Sequence, residues 1–196
     1  MTQAMTARGR PKSPEKGQAI LSAAAECFMT IGFSASMEQI ASAGQVSKQT
    51  LYSHFANKHE LFNAVVRNKM NLYFGESDSL PRSQGLREEL LDRGERVLNM
   101  MADPGVGCMI RCVAAQVETM PDIAEDFWQS GPTALCSHIQ STFARHQDPA
   151  QAETLAWRFV YALAGPVMFS NMMGQPSPIN ADRQHLESVV DMFAPA

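Results

Sequence analysis

The stretch SMEQIASAGQVSKQTLYSHFANKHELF, residues 36–62, decides the fold because it predicts three short helices in succession. Ser36 with Gln39 has the spacing of a capping box, in which each side chain accepts a hydrogen bond from the other residue's backbone N–H. Ser47 is a predicted N-cap for the next helix, and Val46 before it can pack against Leu51.

A second box-like pair, Asn57 with Glu60, predicts a further helix that carries Leu61 and Phe62. Residues 36–55 therefore have the build of a helix-turn-helix: a supporting helix, a turn around residues 44–46 and a short second helix. The N-terminal end of such a second helix can enter the major groove of DNA.

A longer helix is predicted upstream, over residues 14–31. Ser13 has the properties of an N-cap, and Pro14 fits the first helical position, where its missing N–H has no cost. Apolar residues then recur at helical spacing until Gly32, which is placed to end the helix. Residues 1–12 are small, polar and basic without helical periodicity, and we predict a flexible arm there.

Downstream of Leu80 the pattern predicts long helices without strand alternation. They are expected over residues 84–102, 106–120, 122–146, 149–173 and 181–193. The fold class is therefore all-α, with an N-terminal three-helix helix-turn-helix domain followed by a larger helical domain.

Charge is divided unevenly along the chain, although the formal net charge is only -4. Residues 1–70 carry eight Lys and Arg against four Asp and Glu, whereas residues 71–196 carry eight against sixteen. A polyanion would be attracted to the first part and repelled by the second, so we expect any DNA contact in the first part.

The composition argues against membrane and secreted classes. The longest apolar run, residues 159–169, falls far short of the roughly 20 residues that span a bilayer. The N-terminus has no apolar stretch resembling a signal peptide, which predicts a cytoplasmic protein without membrane contact. Four scattered cysteines are too few for a disulfide-stapled scaffold, so reduced thiols are expected.

The N-terminal sequence resembles the DNA-binding domain of the tetracycline-repressor (TetR) family over residues 19–62 without a gap. The matching positions are Ala19-Ile20-Leu21, Ala24-Ala25, Phe28, Gly32-Phe33, Ile40-Ala41, Val46-Ser47, Thr50-Leu51-Tyr52, His54-Phe55, Lys58 and Leu61-Phe62. The family commonly carries Ala-Gly before the Val-Ser, whereas this chain has Gly44-Gln45. If Gln45 adopts a positive φ it has a steric cost that glycine avoids, unless Gly44 absorbs the change.

The resemblance implies a helix-turn-helix DNA-binding domain over residues 13–60 and an effector-binding and dimerisation domain over residues 61–196. In the first turn after Ser47, chemistry and position predict three base readers: Lys48 for guanine, Gln49 for adenine and Thr50 for the thymine methyl. The resemblance adds phosphate-contacting positions at Tyr52, His54 and Lys58, with Ser36 and Met37 also near the DNA backbone. The N-cap residue Ser47 is a further predicted DNA-binding residue. Alternatively, the three capped helices only close a small core, with Lys48 and Lys58 solvated.

The arm contains Arg8-Gly9-Arg10-Pro11, which resembles the core of the minor-groove AT-hook. Arg8 and Arg10 flanking a glycine can lie flat in a narrow A·T groove. The equal alternative is a solvated basic tail that attracts phosphates without sequence preference.

The second part has no Gly-rich phosphate loop, nucleophile elbow or His-Glu-x-x-His motif, so we predict no enzyme, metal or cofactor. Its Met and aromatic residues suit a permissive hydrophobic pocket, although each alone is also an ordinary core residue. The predicted ligand-binding residues are Met100, Met101, Phe127, Trp128, Trp157, Tyr161 and Met168. Residues 110–132 resemble the C-terminal domain of the AefR-like branch of the family.

The family resemblance further implies that the two last helices pack against a second copy as a four-helix interface. The predicted dimerisation residues are Phe159, Leu163, Leu186, Val189, Val190 and Phe193. Cys108 and Cys112 share one helical face, which admits a thiol switch, although buried cysteines are common and a disulfide within a helix is geometrically awkward.

We therefore expect a homodimeric repressor that binds double-stranded operator DNA and is released by a small hydrophobic or amphipathic molecule. Two other classes stay open. A small-molecule-binding or enzymatic all-α protein without a DNA role predicts no sequence-selective DNA binding. An architectural DNA-binding protein that uses the arm predicts A·T preference and no effector response.

Overall fold

The protein folds as a bundle of ten α-helices in the residues that the computed structural model describes, which are 13–75 and 85–195. Those ranges contain no β-strand, in agreement with the predicted all-α class. The helices are α1 (Pro14–Ile31), α2 (Met37–Ala43), α3 (Lys48–His54), α4 (Lys58–Phe74), α5 (Leu86–Ala102), α6 (Pro104–Ala114), α7 (Pro121–Trp128), α8 (Ala134–His146), α9 (Ala152–Met173) and α10 (Arg183–Asp191). The predicted arm, with Arg8 and Arg10, lies outside the described residues. None of the described helices combines the length and apolar character needed to cross a bilayer.

Side-chain caps fix most of the early helix starts. At Ser36 both bonds of the capping box form: the backbone N–H of Gln39 donates to Ser36 Oγ at 3.1 Å, and that of Ser36 donates to Gln39 Oε1 at 2.8 Å. Ser47 Oγ accepts from the backbone N–H of Thr50 at 3.1 Å. Ser13 occupies the cap position of α1, but its side chain accepts no hydrogen bond there.

The second box-like pair differs from the prediction by one residue. Asn57 Oδ1 accepts from the backbone N–H of Glu60 at 2.8 Å, as predicted. Glu60 Oε2, however, accepts from the backbone N–H of Ala56 at 2.7 Å rather than from that of Asn57. The start of α4 is still well fixed, because two backbone donors obtain acceptors.

Helices α1 to α3 and the first turns of α4 enclose a small core, and we call this unit the head. Ile20, Ile40 and Leu51 are fully buried in it. Phe62 of α4 packs edge-on against Phe28 of α1, with ring centroids 5.2 Å apart. Phe62 thus lies in the core of the head, although the predicted domain boundary falls between residues 60 and 61.

Helix α4 continues out of the head as a single helix of 17 residues. Its last turns carry Met70 and Phe74, which are both buried, and the ring of Phe74 stacks on that of His138 in α8 at 5.3 Å. One rigid element is therefore shared between the head and the remaining helices, α5 to α10, which we call the body.

The body is built around α9, which contacts α5, α6, α8 and α10. The crossing of α5 with α9 and α10 is tight at Gly94, where a Cβ would lie 2.3 Å from Leu186 Cδ1 and 3.2 Å from Leu163 Cδ2. A Cβ at this position would displace the buried side chain of Leu186, so the close packing here favours glycine.

The predicted helix over residues 122–146 is wrong as a single element. Helix α7 ends at Trp128, Gln129–Thr133 form a π-helical turn, and α8 begins at Ala134. Pro132 inside that turn has no N–H to donate, and its ring crowds the preceding carbonyl, which accounts for the local widening.

The predicted helix over residues 106–120 is shifted. It begins at Pro104, behind the N-cap Asp103, and ends at Ala114. Beyond Val113 the apolar side chains of Val117 and Met120 are exposed, so burial no longer supports a helix there.

Candidate nucleic-acid interface and ligand cavity

The N-terminal end of α3 is open to solvent, as base reading requires. Lys48, Gln49 and Tyr52 are exposed. Thr50 is half-buried, and its hydroxyl lies 2.9 Å from Ser47 Oγ inside the N-cap. Gln49 and Tyr52 are therefore open to a surface placed against α3, whereas the Thr50 hydroxyl is already engaged.

In the turn before α3, Gly44 and Gln45 have different backbone conformations. Gly44 has a negative φ of -79°, and a Cβ there would lie 3.3 Å from both Ala23 Cβ and Ile40 O, which is tighter than ordinary contact. Gln45 has φ 52°, in the left-handed region that favours glycine. The positive φ therefore falls on Gln45, and Gly44 does not absorb it.

An acidic residue that sequence reasoning missed lies beside Lys48. Glu38 on α2 places Oε1 at 3.1 Å from Lys48 Nζ, and both side chains are largely exposed. The backbone N–H of Glu38 itself, and then Lys48, hold the pKa of this carboxyl below its ordinary value. The only sequence signal was an acid in the first turn of a helix, which the helix dipole explains equally well. This pair partly cancels the charge that Lys48 offers to DNA.

Three residues predicted to contact phosphate are partly or fully buried against other residues of the head. Lys58 Nζ donates to Phe33 O at 2.6 Å and lies 4.5 Å from the centroid of the Phe33 ring, and burial lowers the pKa of Lys58. His54 is half-buried, with Nδ1 3.5 Å from where a Cβ on Gly17 would lie. Met37 is buried in the core, so only its backbone N–H in the first turn of α2 is placed for a phosphate. The side chains of Lys58 and Met37 thus have structural partners that the prediction did not include.

A cavity of about 300 Å³ lies in the body and is walled by helices α4 to α9. All seven residues predicted to bind a ligand are on its wall, namely Met100, Met101, Phe127, Trp128, Trp157, Tyr161 and Met168. Sequence reasoning missed the contribution of α4, which supplies Val66, Lys69 and Met70. Their i, i+3, i+4 spacing on a helix that extends past the head was the available signal.

Lys69 on this wall belongs to a polar cluster that lies behind the wall, at the start of α6. Lys69 Nζ lies 2.5 Å from Asp103 Oδ2, which also accepts from the Tyr73 hydroxyl at 3.1 Å. Asp103 Oδ1 accepts from the backbone N–H of Gly105 at 2.7 Å. Burial alone would raise the pKa of Asp103, but these hydrogen bonds hold it below its ordinary value. The carboxylate therefore stays ionised at neutral pH and neutralises Lys69.

Three aromatic rings of the wall form a stack, which we call the aromatic ladder. The rings of Trp128 and Trp157 lie 5.4 Å apart and within 9° of parallel. The rings of Trp157 and Tyr161 lie 5.7 Å apart at 24°. Trp128 and Tyr161 are exposed, whereas Trp157 between them is half-buried, so the ladder has an exposed ring at each end.

The residues predicted for dimerisation lie inside the protomer. Five of them, Phe159, Leu163, Leu186, Val189 and Val190, are buried, and Phe193 packs partly buried on the rings of Phe143 and Phe159. These side chains hold α9 and α10 to the rest of the body. Exposed apolar side chains of the same region are Tyr161, Phe169, Met172 and Met173 on α9, and Met192 directly after α10.

Cys108 and Cys112 lie where α6 meets α1, with their sulfur atoms 4.0 Å apart. Cys108 Sγ donates to Phe28 O at 3.3 Å, and Cys112 Sγ lies 3.6 Å from the same oxygen. Burial, reinforced by Cys108, raises the pKa of Cys112 to about 11. Both thiols are free, and their surroundings favour the protonated form of Cys112.

Two histidines of the body also contact other groups of the protein. His146 Nε2 lies 3.0 Å from Glu89 Oε1, and His185 Nε2 lies 3.0 Å from Leu163 O. Over residues 13–75 and 85–195, no three His, Cys, Asp or Glu side chains come together in a group that could hold a metal ion.

Two family models match the chain. The model described as "Bacterial regulatory proteins, tetR family" matches residues 20–65, and the model described as "AefR-like transcriptional repressor, C-terminal domain" matches residues 88–196.

Individual proteins are similar to the chain as well. The HTH-type transcriptional activator FasR of Mycolicibacterium smegmatis is 38% identical over 82 residues, which are 41% of this chain and 37% of that protein. The match thus spans little more than a third of the length of this curated relative. A TetR-family transcriptional regulator from Mesorhizobium loti has a similar structure, with a TM-score of 0.76 and 22% identity over 92% of this chain and 96% of that one. The flavonoid-responsive regulator FrrA has a TM-score of 0.68 and 25% identity over the same shares.

Proposed function

Since the chain belongs to the tetR family of bacterial regulatory proteins, we propose that it is a homodimeric repressor that a small ligand in the cavity releases from its operator. DNA binding and transcriptional regulation follow from the family itself. The observation that carries the rest is α4, which contributes Leu61 and Phe62 to the core of the head and Val66, Lys69 and Met70 to the cavity wall. A molecule in the cavity therefore touches the helix on which the head is mounted.

The proposed DNA surface is the exposed end of α3 with the start of α2. Lys48 and Gln49 read base edges in the major groove, and Tyr52 contacts the DNA backbone. At the start of α2, the backbone N–H of Met37 is placed to donate to a phosphate, whereas the N–H groups of Glu38 and Gln39 already have acceptors. Arg8 and Arg10 of the arm would extend the contact into the flanking minor groove.

Because Glu38 pairs with Lys48, substitutions of the two residues should change operator affinity in opposite directions. Lys48→Ala and Gln49→Ala should each weaken operator binding about tenfold or more, with a much smaller effect on nonspecific duplex, because each removes a base contact. Glu38→Gln should strengthen binding a few-fold at low salt, because Lys48 is released and a negative charge near the phosphates is lost.

The measurement is fluorescence anisotropy of labelled operator and of scrambled duplex at several salt concentrations. Equal losses on both duplexes in the Lys48 and Gln49 variants would remove these residues as base readers. Absence of any salt-sensitive, sequence-selective binding would favour a ligand-binding protein without a DNA role. Binding that prefers A·T duplexes and ignores every ligand would favour the architectural class.

Ligand response is supported by the cavity and by FrrA, a flavonoid-responsive regulator by name. The repressor assignment rests on the AefR-like repressor model, whereas FasR is named an activator. In vitro transcription from a promoter that carries the operator decides whether the protein represses or activates: added protein should lower transcript yield, and an increase would make the protein an activator.

Family and fold are those of regulators, and we propose no catalysis and a cytoplasmic location.

The proposed dimer places Phe169, Met172 and Met173 of α9, together with Met192, against the same surface of a second copy, and it leaves Tyr161 to the cavity wall. A two-fold pair of heads then meets the two half-sites of a pseudo-palindromic operator. The buried residues Phe159, Leu163 and Leu186 support this surface from within.

A further inference from the structure

The aromatic ladder exposes ring surface in an unusual place. Trp128 and Tyr161 are both exposed although they line a cavity that is otherwise almost entirely apolar. Exposed apolar surface next to a pocket is typical of ligand-binding sites. Flat rings that are already stacked within 9° and 24° of parallel present a surface that another flat ring can extend.

The charge of the wall selects against ions of both signs. Among the described residues of the wall, Lys69 is the one cation, and it is paired with Asp103, which also accepts from Tyr73 and Gly105. A ligand carboxylate would have to displace Asp103 and would then lie beside it, so that two like charges would share a poorly solvated site. A ligand cation would find no acidic side chain on the described wall, because Asp103 belongs to the cluster behind Lys69.

The size and softness of the wall agree with a small polycyclic molecule. A dry apolar cavity of about 150 Å³ accommodates benzene, and this cavity has about twice that volume. Met70, Met100, Met101, Met109 and Met168 line it, and thioethers both adapt their shape and make favourable contacts with aromatic rings.

We infer that the effector is a flat, uncharged aromatic molecule of two or three rings, which stacks on the ladder of Trp128, Trp157 and Tyr161. This inference rests on the proposal that the cavity is the effector site. The inference narrows the range of possible effectors. An apolar cavity with a lysine on its wall would otherwise admit amphipathic acids, and the inference excludes them.

Three probes separate ring shape from charge in calorimetric titrations of the full-length protein. 2-Naphthol is flat and neutral at pH 7, 2-naphthoate has the same rings with a negative charge, and 1-decanol is neutral without a ring. We expect 2-naphthol to bind at least tenfold more tightly than either of the others. Comparable or tighter binding of 2-naphthoate or 1-decanol, or no binding of 2-naphthol, overturns the inference.

Variants test the two parts of the argument separately. Trp128→Leu, which removes one end ring of the ladder, should weaken 2-naphthol binding by about tenfold, the size of one aromatic stacking contact, and leave 1-decanol binding within about twofold. Phe127→Leu, on the same wall but outside the ladder, is the matched control and should change the two affinities in parallel. If Trp128→Leu does not fold, Tyr161→Leu at the other end of the ladder replaces it. An equal loss for both probes in the ladder variant overturns stacking.

Asp103→Asn keeps an N-cap for α6 but leaves Lys69 without its carboxylate partner. It should raise the affinity for 2-naphthoate by about tenfold, and an unchanged affinity would contradict the charge argument.

Operator release is measured separately for each probe. Tight 2-naphthol binding without loss of operator affinity would leave the ligand class intact and remove the proposed ligand-responsive function, whereas release by 1-decanol or 2-naphthoate alone would do the reverse.

Discussion

Gln45 carries the most strained backbone conformation that the structure shows at a residue other than glycine, with φ 52°. We expect Gln45→Gly to raise the free energy of unfolding by about 1 kcal/mol, since glycine adopts this region without a Cβ clash and the gain exceeds its extra chain entropy. Urea unfolding followed by circular dichroism measures the change. Gln45→Ala is the matched control, because it keeps the Cβ and should be nearly neutral; equal effects of both variants would refute the strain argument.

Cys112 is predicted to be unreactive at neutral pH. Its pKa of about 11 leaves a thiolate fraction some hundredfold or more below that of an ordinary cysteine. Iodoacetamide labelling at pH 7.5, resolved by peptide mass spectrometry, should therefore modify Cys112 slowly in the native protein and quickly in guanidinium chloride, with native labelling accelerating as the pH approaches 11. Rapid native labelling at pH 7.5 would instead revive the thiol switch.

Helices α5 and α8 are joined by a charged contact on one buried carboxylate. Glu89 is 2% exposed, its Oε1 lies 3.0 Å from His146 Nε2, and its Oε2 accepts from Arg145. Burial alone would raise the pKa of Glu89, but the hydrogen bonds from His146 and Arg145 hold it below its ordinary value. A depressed pKa means that the stabilisation is complete above the unfolded-state pKa of about 4.3 and is lost as the pH falls through the folded-state value.

We expect Glu89→Gln to lower the free energy of unfolding by about 1 to 2 kcal/mol at pH 7, because Arg145 loses the counter-charge that the buried carboxylate supplies. The difference from the wild type should shrink below pH 4. Thermal unfolding across pH 3 to 8 measures it, and Glu88→Gln, at an exposed neighbouring position, should have little effect. A difference that stays constant down to pH 3 would contradict the assignment.

The helices themselves were predictable where a local signal sets their ends. The caps at Ser36, Ser47 and Asn57 are sequence patterns whose partners lie three residues away, so the pattern is enough. Pro132 was visible too, but whether a proline ends, bends or widens a helix depends on the packing around it. The sequence therefore predicts elements better than their interruptions.

The cavity was foreseen only in part, for a related reason. Aromatic and methionine residues of the body were recognisable by type, and all seven chosen line the wall. The contacts of Lys48 with Glu38 and of Lys69 with Asp103 join different helices, and no sequence spacing encodes them. For dimerisation, hydrophobicity identified the helices' buried faces, because burial inside the protomer and burial between protomers select the same residue types.

At the scale of the whole molecule, the exposed apolar side chains of α9 make the proposed dimer testable. Phe169 is 61% exposed, and Phe169→Glu should convert the dimer to a monomer and weaken operator binding by about a hundredfold or more, because half of the paired contact is lost. Sedimentation equilibrium gives the mass, and circular dichroism shows that the fold is kept. Leu72→Glu, at a 69% exposed position on α4, is the matched control and should leave the mass unchanged. A dimeric Phe169→Glu protein would place the interface elsewhere.

The unbroken course of α4 through two cores has a mechanical consequence. Its 17 residues make a rod about 25 Å long that is clamped at both ends. A tilt of about 5° at the cavity end would move the far end by about 2 Å, and two-fold symmetry would double this to about 4 Å between the paired heads. Hydrogen bonds to base edges tolerate errors of only a few tenths of an ångström. In the proposed dimer, a movement smaller than one methyl group at the cavity end of α4 would thus shift the two heads out of register with a rigid operator.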